Sequence, residues 1–212
     1  GADFWIVKLG AIGNIEWQNT IGGDSYEYFS SVATTLDGGY IISGTTYSPV
    51  SDDITEGVFN GPDYLVMKLN SVGNIIWQNT IGGEGQDYLK AVWPTTDGGY
   101  IAGGTSDSDQ SNDKTQNSKG GNDCWIVKLD SAGNIEWDNT FGGDEGDGCD
   151  EIRQIGDREF IAAGVSYSSI SGDKTEISRG GPDYWVIRLT ETFNLVTGKM
   201  FYDLNSNLIQ DE

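Results

Sequence analysis

The side chains in this chain that can do chemistry are mostly carboxylates, and their spacing is regular. Acidic pairs Asp24 and Glu27, Glu84 and Asp87, and Asp144 and Asp147 recur at an interval of 60 residues. Three such pairs on one rim offer hard oxygen ligands for Ca²⁺ or an attachment for basic groups. In glycine-rich turns the same carboxylates also serve as acceptors for backbone N–H groups, and both uses fit the sequence. A glycoside hydrolase would need two carboxyls about 5–10 Å apart, one of them with a raised pKa. No pair here departs from the repeat in a way that marks it for that task. The sequence contains no histidine, which removes the commonest general base and the commonest imidazole ligand.

Other candidates lie where the repeat is broken. Trp93 has Ala33 and Arg153 as its counterparts, so an aromatic is not required there; it can stack on a sugar, anchor a protein partner or pack under a loop. Tyr47 and Tyr167 stand in the long loops as ligand-binding candidates of the same kind. Cys124 replaces an aromatic, and Cys149 stands where Phe29 and Leu89 stand in the other copies. Two strands apart in one sheet, their separation of about 9–10 Å would forbid a disulfide, whereas in adjacent sheets they can face each other. Buried thiols are the alternative. Near the C-terminus, Asp203, Asn205, Asn207 and Asp211 fall at positions 1, 3, 5 and 9 of an EF-hand-like oxygen cage that suits Ca²⁺, although Leu208 stands where the sharp turn takes Gly.

These residues are carried by a tandem array. The strands DFWIVKL, DYLVMKL, DCWIVKL and DYWVIRL begin at Asp3, Asp63, Asp123 and Asp183. In the first, Phe4, Ile6 and Lys8 alternate with Trp5, Val7 and Leu9, so both faces are largely apolar and the sheet is expected to pack on both sides. A Gly-Asn turn and a strand with Trp17, Trp77 or Trp137 follow. The acidic glycine loop comes next, then a strand, an Asp-Gly-Gly turn and the strand starting at Tyr40 or Tyr100. The third copy has Asp157-Arg158-Glu159 at that turn, which predicts a different turn type. Asp3, Asp63, Asp123 and Asp183 are expected to cap turns.

Four short strands per copy, no helical periodicity and two apolar faces predict an all-β fold of β-propeller-type blades, each a four-stranded antiparallel meander. With a blade running from the Gly-Asn strand to the next marker strand, three blades occupy 14–69, 74–129 and 134–189, and Asp3–Leu9 is one extra strand. The array is expected over 1–190, with 191–212 a linker and the start of another module. Three blades do not close easily, so further blades or neighbouring chains are expected to cover the ends, and the chain is expected to be a piece of a longer protein.

The recurring text GxDYWVxKLxxxGNIxWxNTxGG, then DGGYIxxGT and a Ser/Asp-rich loop, resembles propeller-like repeats of large secreted bacterial surface proteins, above all those exported by type IX secretion. The segment from Gly198 to Glu212 resembles the opening of a serine-aspartate repeat B-type, Ig-like module, a kind that often binds calcium near this motif. The resemblance implies export, an extracellular or cell-surface location, and adhesion or scaffolding.

Composition agrees with that class. With 33 acidic and 12 basic residues and a net charge of −21, the chain repels nucleic acid and anionic membranes. No segment approaches the roughly 20 apolar residues of a membrane span. The expected function is a non-enzymatic scaffold that binds protein or glycan. A carbohydrate-active propeller and a structural filament or stalk segment are the alternatives.

Overall fold

The computed structural model describes residues 1–192 together with the backbone of 195–201. Every element among the described residues is a strand. Strands β1 (Phe4–Leu9) and β2 (Ile15–Ile21) form a two-stranded hairpin. Next is a four-stranded antiparallel meander of β3 (Glu27–Thr34), β4 (Tyr40–Thr46), β5 (Asp63–Leu69) and β6 (Ile75–Ile81). The same arrangement returns in β7 (Asp87–Pro94), β8 (Tyr100–Ser106), β9 (Asp123–Leu129) and β10 (Ile135–Phe141). A last sheet holds β11 (Glu151–Gly156), β12 (Glu159–Ser166), β13 (Asp183–Thr192) and β14 (Leu195–Phe201).

The sheet boundary falls one strand later than the sequence pattern suggests. Gly13, Gly73 and Gly133 adopt φ values of 82, 84 and 89°, left-handed geometry that glycine tolerates. The resulting tight hairpins keep each Gly-Asn strand on its own marker strand, with Trp77 opposite Lys68 and Trp137 opposite Lys128. The complete sheets therefore cover 27–81, 87–141 and 151–201, and the unit at the N-terminus is a hairpin where a single extra strand was expected. β14 pairs with β13 from Thr192↔Leu195 to Val186↔Phe201, so the last sheet continues past residue 190. Thr197 stands where the earlier copies have Trp17, Trp77 and Trp137, and backbone pairing does not require the ring. The third turn differs as expected: Gly156 pairs with Glu159 around Arg158 at φ 56°, whereas Thr34 pairs with Tyr40.

Alternation along the marker strands sorts side chains between two interfaces. In β5, Tyr64 and Val66 join the core facing the next sheet, while Leu65, Met67 and Leu69 join the core facing the hairpin. In β9, Trp125, Val127 and Leu129 pack backward and Cys124 and Ile126 pack forward. All seven residues of both strands are buried. Even Lys68 and Lys128 are enclosed, their ammonium groups 2.9 Å from Asp37 and Asp97 respectively.

Polar contacts lock neighbouring units at the turns. The Trp17 indole N–H donates to Ser71 O at 3.1 Å and the Asn19 amide to Gly73 O at 3.2 Å. The Trp77 and Asn79 side chains repeat this on Ser131 and Gly133. A Cβ on Gly73 would lie 2.7 Å from the Trp17 ring, so the turn glycine also makes room for its neighbour's indole. Among the described residues the outer faces are open: Trp5 is 69% exposed and Tyr184 90%.

This sorting predicts opposite outcomes at equivalent positions. Trp125→Ala removes a fully buried indole and should lower unfolding free energy by roughly 3–5 kcal/mol, while Trp5→Ala should cost less than about 1 kcal/mol. Urea unfolding of both variants checks this, and equal losses would contradict it.

Candidate functional site

The acidic pairs divide between surface and interior. Asp24, Glu84 and Asp144 are exposed, whereas Glu27, Asp87 and Asp147 are buried. Glu27 accepts hydrogen bonds from Gly23 N–H at 3.0 Å and from the Ser48 and Thr46 hydroxyls at 2.6 and 2.9 Å. Asp87 accepts from Gly83 N–H and Ser108, and Asp147 from Gly143 N–H and Ser168. The Ser/Asp-rich loops thus fold back over the glycine loops and supply their hydroxyls. A Cβ on Gly82 would sit 2.0 Å from Asp63 Oδ1, and one on Gly142 would sit 1.8 Å from Asp123 Oδ1. The first glycine of each pair is therefore a packing requirement.

The marker aspartates meet the same loops from the other side. Asp63 accepts from Phe59 N–H at 2.7 Å, Asp123 from Lys119 N–H at 2.5 Å and Asp183 from Arg179 N–H at 3.1 Å. Asp63 is fully buried, and desolvation, with Asp87 and Asp113 nearby, pushes its pKa up to about 7. Burial also raises Asp123 and lowers Lys114, which occupies the position of Ile54 and donates to Ser106 at 2.8 Å. A carboxyl protonated near neutrality is one half of an acid–base pair. Asp63 itself is 0% exposed, and its Oδ1 has no hydrogen-bond partner among the described residues.

The aromatic candidates separate clearly. Trp93 is partly buried against two core clusters, and the Arg153 guanidinium lies 3.7 Å from its ring centroid. Its packing and its cation–π partner come from this chain. Tyr47 belongs to a surface group: its ring meets Tyr28 edge-on at 5.7 Å, and Tyr28 stacks with Tyr26 at 6.0 Å and 6°. Tyr26, Tyr28 and Tyr47 are 52%, 53% and 36% exposed. The Tyr88 hydroxyl donates to Gln86 at 2.5 Å, and burial first, then the nearby Tyr47, pushes its pKa up to about 12. Tyr167 is exposed at the equivalent loop of a later copy, where Gly146 and Gly148 replace Tyr26 and Tyr28. Tyr26 and Tyr28 escaped the sequence reading, although Gln86 and Gly146 at the Tyr26 position show that the repeat does not need a ring there.

A cleft of about 490 Å³ lies at the turn ends of the first two complete sheets, lined by Leu36, Asp37, Lys68, Trp77, Thr95 and Tyr100 among others. Its one cation, Lys68, is engaged by Asp37 and by Leu69 O. Cys124 and Cys149 are buried free thiols on adjacent sheets. The tail ligands Asp203, Asn205, Asn207 and Asp211 lie outside the described residues. Among the described residues no group of three or more His, Cys, Asp or Glu is placed to hold a metal ion. Compared with protein-family models and with curated proteins, the chain matches none.

Asp63 makes stability depend on pH with a definite sign. Its folded pKa is raised, so its contribution is complete below about pH 4 and is lost as pH rises through about 7. Asp37, Asp97 and Asp130 are shifted downward by hydrogen bonds and act on the acid side of that window. Asp63→Asn should flatten the decline between about pH 4 and pH 7 and be more stable than wild type at pH 8 by roughly 1–3 kcal/mol. Denaturant midpoints across pH measure this, and parallel curves would refute the assignment.

Proposed function

We propose that the chain is a non-enzymatic repeat scaffold of an extracellular bacterial surface protein. It is propeller-like in the stacking of its sheets, and it binds glycan through Tyr26, Tyr28 and Tyr47. The observation that carries this reading is the exposed tyrosine group, with its rings offset-stacked and edge-on. Flat apolar faces rimmed by hydroxyls suit the C–H faces of sugar rings, and rigid rings lose little entropy on binding. A scaffold role is supported by the buried Glu27, Asp87 and Asp147, each of which accepts from a backbone N–H and a loop hydroxyl. The strong negative charge keeps nucleic acid and anionic lipid away from the tyrosines. The repeat resemblance supports export by type IX secretion. Calcium is proposed for the tail motif.

A filament or stalk is a second reading, favoured by the outer faces. Tyr64 and Trp125 meet across an internal interface at 4.8 Å. The equivalent residues Tyr184 and Trp5 are exposed at opposite ends, so like sheets of neighbouring chains fit both faces.

Glycan-array binding followed by calorimetry tests the first reading. Tyr28→Ala should weaken the best glycan at least about tenfold, a loss of about 1.4 kcal/mol, while Tyr167→Ala leaves it unchanged. Absence of glycan binding by the wild-type chain would sink it. For the filament, sedimentation should show mass rising with concentration and Tyr184→Asp should abolish the rise. A concentration-independent monomer would exclude that reading.

A further inference from the structure

The third interface of the stack differs from the first two at one pair of positions. In the first, Phe4 on the hairpin meets Phe29 on the next sheet, with ring centroids 6.1 Å apart at 89°. In the second, Tyr64 and Leu89 fall in one buried cluster. In the third, both positions carry cysteine: Cys124 on β9 and Cys149 just before β11, each 1% exposed and in one buried cluster. Two large apolar side chains that touch across an interface have thus been replaced together by two thiols.

The surroundings fit a bond between them. Cys124 and Cys149 pack in the same buried cluster, where the Cys149 thiol donates to Glu151 O at 3.3 Å. Gly103 occupies the position of Ser43 and Ala163, and a Cβ there would lie 2.9 Å from Cys149 Sγ, so the missing side chain gives the sulfur its space.

We propose that Cys124 and Cys149 form a disulfide that staples the sheet β7–β10 to the sheet β11–β14 when the chain folds in an oxidising environment. The oxidant is a disulfide, either a small one such as oxidised glutathione or that of a thiol oxidase. The thiolate of one cysteine attacks a sulfur of that disulfide and releases one oxidant thiolate. The second cysteine's thiolate then attacks the mixed disulfide and releases the other. Two protons leave the chain, and two electrons reduce the oxidant to its thiol form. Burial pushes the Cys124 thiol well up, so oxidation belongs to the folding chain, before the interface closes, and the native dithiol resists it.

The full chain should be unfolded with reductant and refolded in a buffer of oxidised and reduced glutathione, then denatured with a maleimide present. Mass spectrometry should find no labelled cysteine, a loss of about 2 Da and a 124–149 cross-linked peptide. The oxidised chain should melt about 5–10 °C above the reduced one, and reductant should have no such effect on a Cys124→Ser, Cys149→Ser variant. Peptide mapping of the wild-type chain needs no variant and stands if the double substitution fails to fold. Recovery of two labelled thiols after oxidative refolding, or of intermolecular bridges alone, would overturn the proposal.

Discussion

A sheet whose two faces are both apolar has to be covered twice, and the other features of this structure follow from that constraint. β5 and β9 place every side chain in an interface. Burying an apolar side chain contributes about 1.5–3 kcal/mol, and here one strand collects that gain on both sides. A single copy cannot do so alone. The array is therefore a stack in which stability resides in the contacts between repeats, as in other quasi-one-dimensional folds.

The repeated motif residues are best understood as parts of those contacts. At one end of the first two strand pairs, the Trp and Asn of the Gly-Asn strand reach the turn of the next unit. At the other, aspartate, serine hydroxyls and the glycine pair pack so closely that a single Cβ would collide. There Glu27, Asp87 and Asp147 each accept from a backbone N–H and a serine hydroxyl, while Oδ1 of Asp87 and of Asp147 has no hydrogen-bond partner among the described residues. The tyrosine group of the first complete sheet lies where the repeat is irregular.

Much of the architecture was legible because alternation in DFWIVKL exposes its two-faced character directly. The sheet boundary was not, since the connections on either side of the Gly-Asn strand both suit a short crossing. Only the left-handed glycine geometry decides for the hairpin. The division of each acidic pair was also hidden, because Asp24 and Glu27 look alike until the distant Ser48 hydroxyl selects Glu27. Trp93 broke the repeat and invited a ligand, yet its partner Arg153 lies 60 positions away on another sheet. Tyr26 and Tyr28 lie close in sequence, but Tyr47 joins them only after β3 and β4 pair.

Hydrogen exchange of the native chain, followed by mass spectrometry, tests the central claim most directly. If burial on both faces governs stability, amides of β5 and β9 exchange only through global unfolding, while β1 and β2 exchange earlier through local opening. Equal protection of β1 and β9, or weaker protection of β9 than of β13, would contradict it.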